Sequence, residues 1–401
     1  MQKSISKYTN LILLLGLTLF GPLTNADVVS ARNSAMGDTG VASSRNDVAS
    51  LFNPALLTKK DGRDRFSIVL PSVGVFASDQ EEVIDILDDL TDDFDLLDEQ
   101  IISGDPGAFD TRDLVIESLE AISGSPVTIE AGAAFVLAVP LKEYAFALDI
   151  RGSGDVAVLA RFEDSDTELI DDAIATNTSL DDVDLDSDAV AVGATVAEVV
   201  LSGARRVTLA GRDFSFAVAP KFQTVETILF IQDADDFDSD DFDADEFTRE
   251  ETGFNLDAGF AWYLNDSLTV GATLRNLISD DISTILSETG EIDAFEISTE
   301  LDVGIAYENG WLTAAADLDI LPVSTFSSVD DSQFFSAGVE FDAAKWAQLR
   351  LGAKVDIRST RENVVTAGIG LSPFNVLHLG ITGIAGTSNT FGGVVEFKLT
   401  L

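Results

Sequence analysis

Between Trp346 and Ile357 apolar and polar residues alternate without a break. Leu349, Leu351, Ala353, Val355 and Ile357 fall on one face, and Gln348, Arg350, Gly352, Lys354 and Asp356 on the other. A period of two is the mark of a strand with one apolar side. The pattern recurs along the chain. Leu268, Val270, Ala272 and Leu274 alternate with Thr269, Gly271, Thr273 and Arg275, and Val395, Phe397, Leu399 and Leu401 oppose Glu396, Lys398 and Thr400. A few such strands fit a soluble sandwich. So many, joined hairpin by hairpin, point to apolar faces turned to lipid and polar faces turned into a lumen.

The N-terminus agrees with a membrane destination. Lys3 and Lys7 precede an apolar run from Leu11 to Phe20, and Thr24-Asn25-Ala26 forms a small-residue cleavage site before Asp27. This predicts a signal peptide over residues 1–26, too short to span a bilayer. No later segment is long and apolar enough to cross as a helix. A closed barrel crosses instead, because its strands satisfy one another's backbone groups. The expected localisation is therefore the outer membrane of a Gram-negative cell.

Removing residues 1–26 takes away two lysines and no acid, leaving 22 basic against 70 acidic residues and a formal net charge of −48. Nucleic acid is disfavoured as a partner, since neutralising phosphates needs a basic face. Without cysteine there is no disulfide, thiolate nucleophile or thiolate metal site. No cofactor is expected.

Alternation and turn residues give about fourteen strands. They lie near 66–77, 127–139, 143–163, 192–203, 213–231, 250–264, 267–279, 297–308, 311–320, 334–342, 346–357, 362–371, 375–385 and 390–401. Tight turns fall at Pro140–Lys142, Asn265-Asp266, Asn309-Gly310, Ala343–Lys345 and Ser372–Phe374, and Asn-Gly is a strong hairpin signal. The segment 204–212 is long for a turn. Long connections at 78–126, 164–191, 232–249, 280–296 and 321–333 alternate with the short ones, as extracellular loops alternate with periplasmic turns. The acid-rich runs Asp79–Glu99, Glu163–Asp188, Asp233–Glu251 and Asp280–Asp293 sit in or beside the long connections. Within 78–126, Val83, Ile84, Ile86, Leu87 and Leu90 make one helical stripe and Leu114, Ile116, Leu119 and Ile122 another, predicting a helical insertion over one barrel mouth. Gly152 and Gly154 interrupt the third strand and are read either as a kink or as a turn between two ordinary strands.

Residues 27–65 lack strand periodicity. The stretch Ala31-Arg32-Asn33-Ser34-Ala35-Met36-Gly37-Asp38-Thr39-Gly40-Val41-Ala42 is rich in small residues and leads to Leu51-Phe52-Asn53-Pro54-Ala55-Leu56. It is expected to tuck into the lumen as a plug. A small-residue run followed by Asn53, Pro54 and Ala55 resembles the N-terminal hatch of the FadL-like outer-membrane transporters, which implies a plugged fourteen-stranded barrel.

A second resemblance spans the chain from about Ala31 to Leu401. Ala219-Pro220-Lys221-Phe222-Gln223, the acidic Asp235–Asp243 segment, Gly253-Phe254-Asn255-Leu256-Asp257, Leu274-Arg275-Asn276-Leu277-Ile278 and Thr366–Phe374 follow in an order that resembles the conjugal transfer protein TraF family in its outer-membrane-barrel form. The thioredoxin-like protein that shares this label is a different fold, and its redox chemistry needs cysteines absent here. The resemblance implies a non-enzymatic envelope component, with other envelope or conjugation proteins as partners.

The remaining constellations are weighed against plain structural roles. Asp182, Asp184, Asp186 and Asp188, and the run from Asp236 to Asp245, invite a calcium reading, but both lack the glycine and glutamate of a calcium loop. Solvated acidic loops meeting lipid and lipopolysaccharide, with divalent ions as bridges, are preferred, and no metal ligand is named. His378, the only histidine, is read as a structural side chain facing the lumen, and it alone keeps a barrel enzyme in view. Asp257, Arg275, Glu300, Asp302, Glu340, Arg350, Lys354 and Asp356 all occupy polar faces and are expected in the lumen. There they either pair around the plug or line a path for solutes. Two functions stay open: the conjugal-transfer envelope component, and a FadL-like channel for small hydrophobic molecules, with a sideways exit at Gly152–Gly154. A continuous apolar path favours the channel, whereas a lumen sealed by charge pairs favours the envelope role.

Overall fold

The computed structural model describes residues 30–59, 66–79, 81–141, 143–233, 247–285, 292–326, 331–374 and 376–400. The signal peptide and the Asp236–Asp245 run lie outside the described residues. Fourteen antiparallel strands close into a barrel: β1 (Ser67–Ser78), β2 (Val127–Pro140), β3 (Tyr144–Arg161), β4 (Asp188–Leu209), β5 (Arg212–Asp233), β6 (Thr248–Asn265), β7 (Leu268–Arg275), β10 (Glu300–Asn309), β11 (Leu312–Asp319), β12 (Phe334–Ala344), β13 (Ala347–Asp356), β14 (Val364–Leu371), β15 (Leu377–Gly386) and β16 (Thr390–Thr400). Each pairs with the next barrel strand in sequence, β7 with β10, and β1 with β16 closes the ring. Closure removes the unpaired edges that lipid cannot solvate. Between β7 and β10 a separate hairpin is made of β8 (Asp280–Ser283) and β9 (Ala294–Ile297). No described helix is long and apolar enough to cross a membrane.

The alternation resolves into an outside and an inside. On β13 Leu351 is 56% exposed on the barrel's outer surface while Gln348, 2% exposed, points into the lumen. Trp311, Trp346 and Tyr144 stand exposed beside the tight turns, where an aromatic belt meets the lipid headgroups. The barrel is uneven in height. β4 and β5 each have 22 residues, whereas β7, β11 and β14 have 8. About 9–11 residues suffice to cross the bilayer, so one wall rises well beyond it.

Two expectations are corrected here. Gly152 and Gly154 make neither a bulge nor a turn: β3 pairs with β2 and β4 in unbroken register through residues 152–154. With neighbours on both edges, every backbone group there has its partner. The irregularity lies in β1 instead, where the register shifts between Val69 and Val73 on one edge and between Val69 and Ser72 on the other. Pro71 sits in that interval and has no N–H to give the ladder, which forces the bulge. The second correction concerns 204–212, which is no long connection. β4 runs on to Leu209, and Ala210 and Gly211, with φ of +50° and +74°, form a two-residue hairpin turn. Likewise Asn309 still pairs within β10, so Gly310 and Trp311 make that turn.

The helices fall into two groups. α1 (Ala31–Ser34) and α2 (Ala49–Phe52) belong to the N-terminal segment, which a 3-10 turn (Pro54–Thr58) ends. α3 (Val83–Ser103) and α4 (Ala108–Ile122) form the insertion expected in 78–126, and α5 (Ser165–Thr176), from the 164–191 connection, joins them in a cap. Asp79 starts α3 by accepting from the N–H groups of Val83 (2.7 Å) and Ile84 (3.1 Å), and Gly104 ends it with φ +65°. The three helices share an apolar core including Leu90, Leu97, Ile101, Val115, Ile122 and Ile170. The buried stripes differ from those expected, since Ile84 and Leu114 face outward. The bond from Gly124 N–H to Ala160 C=O (2.8 Å) roots the cap on β3.

Candidate functional site

Residues 30–59 fill the lower lumen as a hatch of short turns, nearly all of them buried. Asn53 is its staple. Its Nδ2 donates to the carbonyls of Val41 (2.7 Å) and of Phe260 in β6 (2.9 Å), while its Oδ1 accepts from Ala55 N–H (3.0 Å). Pro54 follows at the first position of the 3-10 turn, where its missing N–H costs nothing. One carboxylate oxygen of Asp317 on β11 accepts from the successive N–H groups of Gly40 (2.6 Å) and Val41 (2.9 Å). Ser50 donates to Asp149 (2.7 Å), and Thr273 to the Phe52 carbonyl (3.1 Å).

The wall leaves room for this segment through inward-facing glycines. A Cβ at Gly271 would lie 2.0 Å from Val41 O, at Gly338 2.2 Å from Met36 O, and at Gly352 2.1 Å from Gly37 N. At Gly368 and Gly380 it would press on the side chains of Ala35 and Ala31. These positions form a trough across β7 and β12–β15 into which the hatch backbone is set. Sequence reasoning placed Gly271 and Gly352 on polar faces and went no further; the repetition of glycine on lumen-facing positions was the available signal.

Charge pairs bolt hatch to wall. Glu340, 2% exposed, receives Arg32 (3.1 Å) and Arg45 (2.8 Å) from the hatch and Arg350 (2.7 Å) from the neighbouring strand. Lys398 holds Asp47 at 2.6 Å, Lys354 lies 3.5 Å from Asp38, and Lys59 reaches Glu308 at 2.5 Å. Burial by itself raises the Asp47 carboxyl, but Lys398, with Arg45 and Arg32 behind it, outweighs that and holds it below its ordinary value. Removing one member of such a set leaves a buried charge uncompensated.

The expected lumenal charges are brought together in pairs. Arg275 bridges Glu300 (2.8 Å) and Asp302 (2.7 Å). Asp257 faces Lys221 (3.2 Å) and Arg151 (3.7 Å), and Arg151 also reaches Glu198 at 2.5 Å. Asp356 is the correction. Its carboxylate accepts from the N–H groups of Gln333, Arg358, Thr360 and Arg361, so it shapes the outer turn after β13 rather than pairing across the lumen.

Above the hatch is a chamber of about 580 Å³. Val41, Leu51 and Phe52 form part of its floor, and it reaches the outer connections at Ser125, Thr360 and Glu362. The β8–β9 hairpin leans inward, with Phe295 and Ile297 packed beside Val192 and Val196 of β4. Charged side chains, among them Arg151, Glu198, Arg275 and Asp302, interrupt this apolar lining. Among the described residues no cluster of three or more His, Asp or Glu side chains is gathered to hold a metal.

His378 spends both ring nitrogens on hydroxyls, Nδ1 with Ser372 (2.6 Å) and Nε2 with Thr400 (3.1 Å), and is buried near the tight-turn end. That geometry ties three strand ends together.

A closed, hatch-filled barrel with a lipid-facing apolar surface is the architecture of an outer-membrane β-barrel protein. The family described as "F plasmid transfer operon, TraF, protein" matches residues 50–319, more than half of the chain, and the chain belongs to that family. Solved structures show the same fold. The toluene transporter TbuX of Ralstonia pickettii aligns with a TM-score of 0.54 at 13% identity, covering 96% of this chain and 100% of its own. The toluene transporter TodX of P. putida gives 0.55 at 12%, covering 94% and 99%. A TodX deltaS2S3 mutant, a monoaromatic hydrocarbon channel, gives 0.56 at 12%, covering 92% and 98%. No curated protein matches.

Proposed function

We propose that this chain is a non-enzymatic envelope component of the TraF type, an outer-membrane barrel held shut by its own N-terminal hatch. The observation that carries this is the bolt at Glu340, where two hatch arginines and one wall arginine converge on a single buried carboxylate. Its outer partners are lipid, lipopolysaccharide and the divalent ions that bridge it to acidic loops; other envelope or conjugation proteins meet the cap and the periplasmic turns.

The second reading, solute uptake, draws on the likeness to the toluene transporters and on the chamber above the hatch. Planar-bilayer conductance separates the two. The mature chain is expected to be silent, and Glu340→Gln, or deletion of residues 27–60, to open steps of current. Steady conductance by the unaltered chain would overturn the shut barrel. Silence of every form, with heat-modifiable mobility confirming the barrel, would leave the envelope role and remove uptake.

A further inference from the structure

The chamber above the hatch carries a chemical bias that selects a ligand. Its lining holds eleven acidic side chains against five basic ones. All five bases are already engaged by acids: Arg151 and Lys221 by Glu198, Arg275 by Glu300 and Asp302, Lys354 by Asp38, and Arg361 by Asp155. The surplus is therefore negative. Low-dielectric walls let such a surplus act across the whole space rather than fade within a few ångströms.

Two acceptors in this lining also lack donors. Gln223 is 4% exposed and its Oε1 has no hydrogen-bond partner. Asp317, 7% exposed, spends Oδ2 on the hatch amides and leaves Oδ1 without a partner. Buried acceptors are ordinarily satisfied, and both of these call for an N–H or O–H. The third observation is aromatic. Phe52, Phe76, Phe295 and Phe334 contribute to the lining, and Lys354 Nζ already sits 4.3 Å from the centre of the Phe334 ring. A cation on a ring face is at home here.

We infer that the chamber binds a small organic cation, an amine or guanidine carrying an apolar body. The charged head answers the negative surplus and the unmet acceptors, and the body lies against Phe52, Phe295 and Ile297. A chamber of about 580 Å³ is of the size that encloses such a molecule. A neutral hydrocarbon would leave the acceptors unmet, and a carboxylate would be repelled. This binding does not depend on whether the hatch opens.

The test is isothermal titration of the full mature chain in nanodiscs with 3-phenylpropylamine, toluene and 3-phenylpropionate, each at low and high salt. The amine is expected to bind, more weakly as salt rises, with the other two at least about tenfold weaker. Gln223→Leu should weaken the amine about tenfold, the scale of one hydrogen bond to a charged group. Ala194→Trp, which fills the chamber from β4, should abolish binding, with heat-modifiable mobility showing that both variants fold. Toluene binding as tightly as the amine would overturn the inference. So would amine binding that survives Ala194→Trp, because the acidic outer loops would then be its site.

Discussion

Lys398 Nζ lies 2.6 Å from Asp47 Oδ2, with both side chains 7% exposed. The last strand of the barrel thus locks the segment that precedes the first, and closure of the ring and seating of the hatch become one event. The Asp47 carboxyl is depressed below its ordinary 3.8, because the attraction of Lys398, Arg45 and Arg32 exceeds the cost of burial. A lowered folded value means that the pair contributes in full above the ordinary value and is lost as pH falls below it. Hydrogen-exchange protection of the hatch amides should stay flat from about pH 8 to about pH 5 and fall below about pH 4. Loss of protection already near neutral pH would assign control to another group.

The glycine trough makes a paired prediction. Gly352→Ala places a Cβ 2.1 Å from the Gly37 nitrogen, whereas Gly383, on the exposed face of β15, has nothing within 4 Å of the same atom. Gly352→Ala is expected to weaken hatch seating by about 1–3 kcal/mol, the usual cost of overpacking. Gly383→Ala should be silent. Protease cleavage within residues 30–59 reads both, and equal cleavage rates would refute the close fit.

Asn53→Ala removes two donated bonds and one accepted bond at a buried position. It should cost about 1–3 kcal/mol of hatch stability, because the carbonyls of Val41 and Phe260 lose a donor. Faster exchange at residues 40–42 than at residues 31–35 would locate the damage at the staple.

Asp79→Ala uncaps α3 and is expected to cost about 0.5–2 kcal/mol locally. The amides of Val83 and Ile84 should exchange faster while heat-modifiable mobility is unchanged. A drop in barrel stability would show that the cap and the barrel fold as one unit.

The strands were legible because lipid on one side and lumen on the other impose a strict alternation, as at Leu349–Asp356. Legibility faded wherever that contrast did. The outer end of β4, from Asp188 to Val192, packs against the β8–β9 hairpin, so the alternation blurs and the strand reads short. β8 and β9 have four residues each, too few to display a period. Asn53-Pro54-Ala55 stood out in the sequence, yet its partner Phe260 acts through a backbone carbonyl, which no side-chain pattern reveals. Glu340 and Arg350 were placed in the lumen by alternation. Arg32 and Arg45, which complete their cluster, come from a segment with no period and were missed.

The unequal strand lengths give the molecule a direction as well as an axis. Strands pairing at about 3.3 Å per residue make β4 and β5 longer than β14 by roughly 45 Å of ladder. Part of that difference rises along the axis of the tilted strands, as a screen on the side of the mouth where β4 and β5 stand. Arg361 and Glu362 lie on the low side, in the connection from β13 to β14, and line the chamber's upper reach. Whatever comes to this surface therefore meets a backstop and a sill, and the protein's heading in the plane of the membrane decides which it meets first.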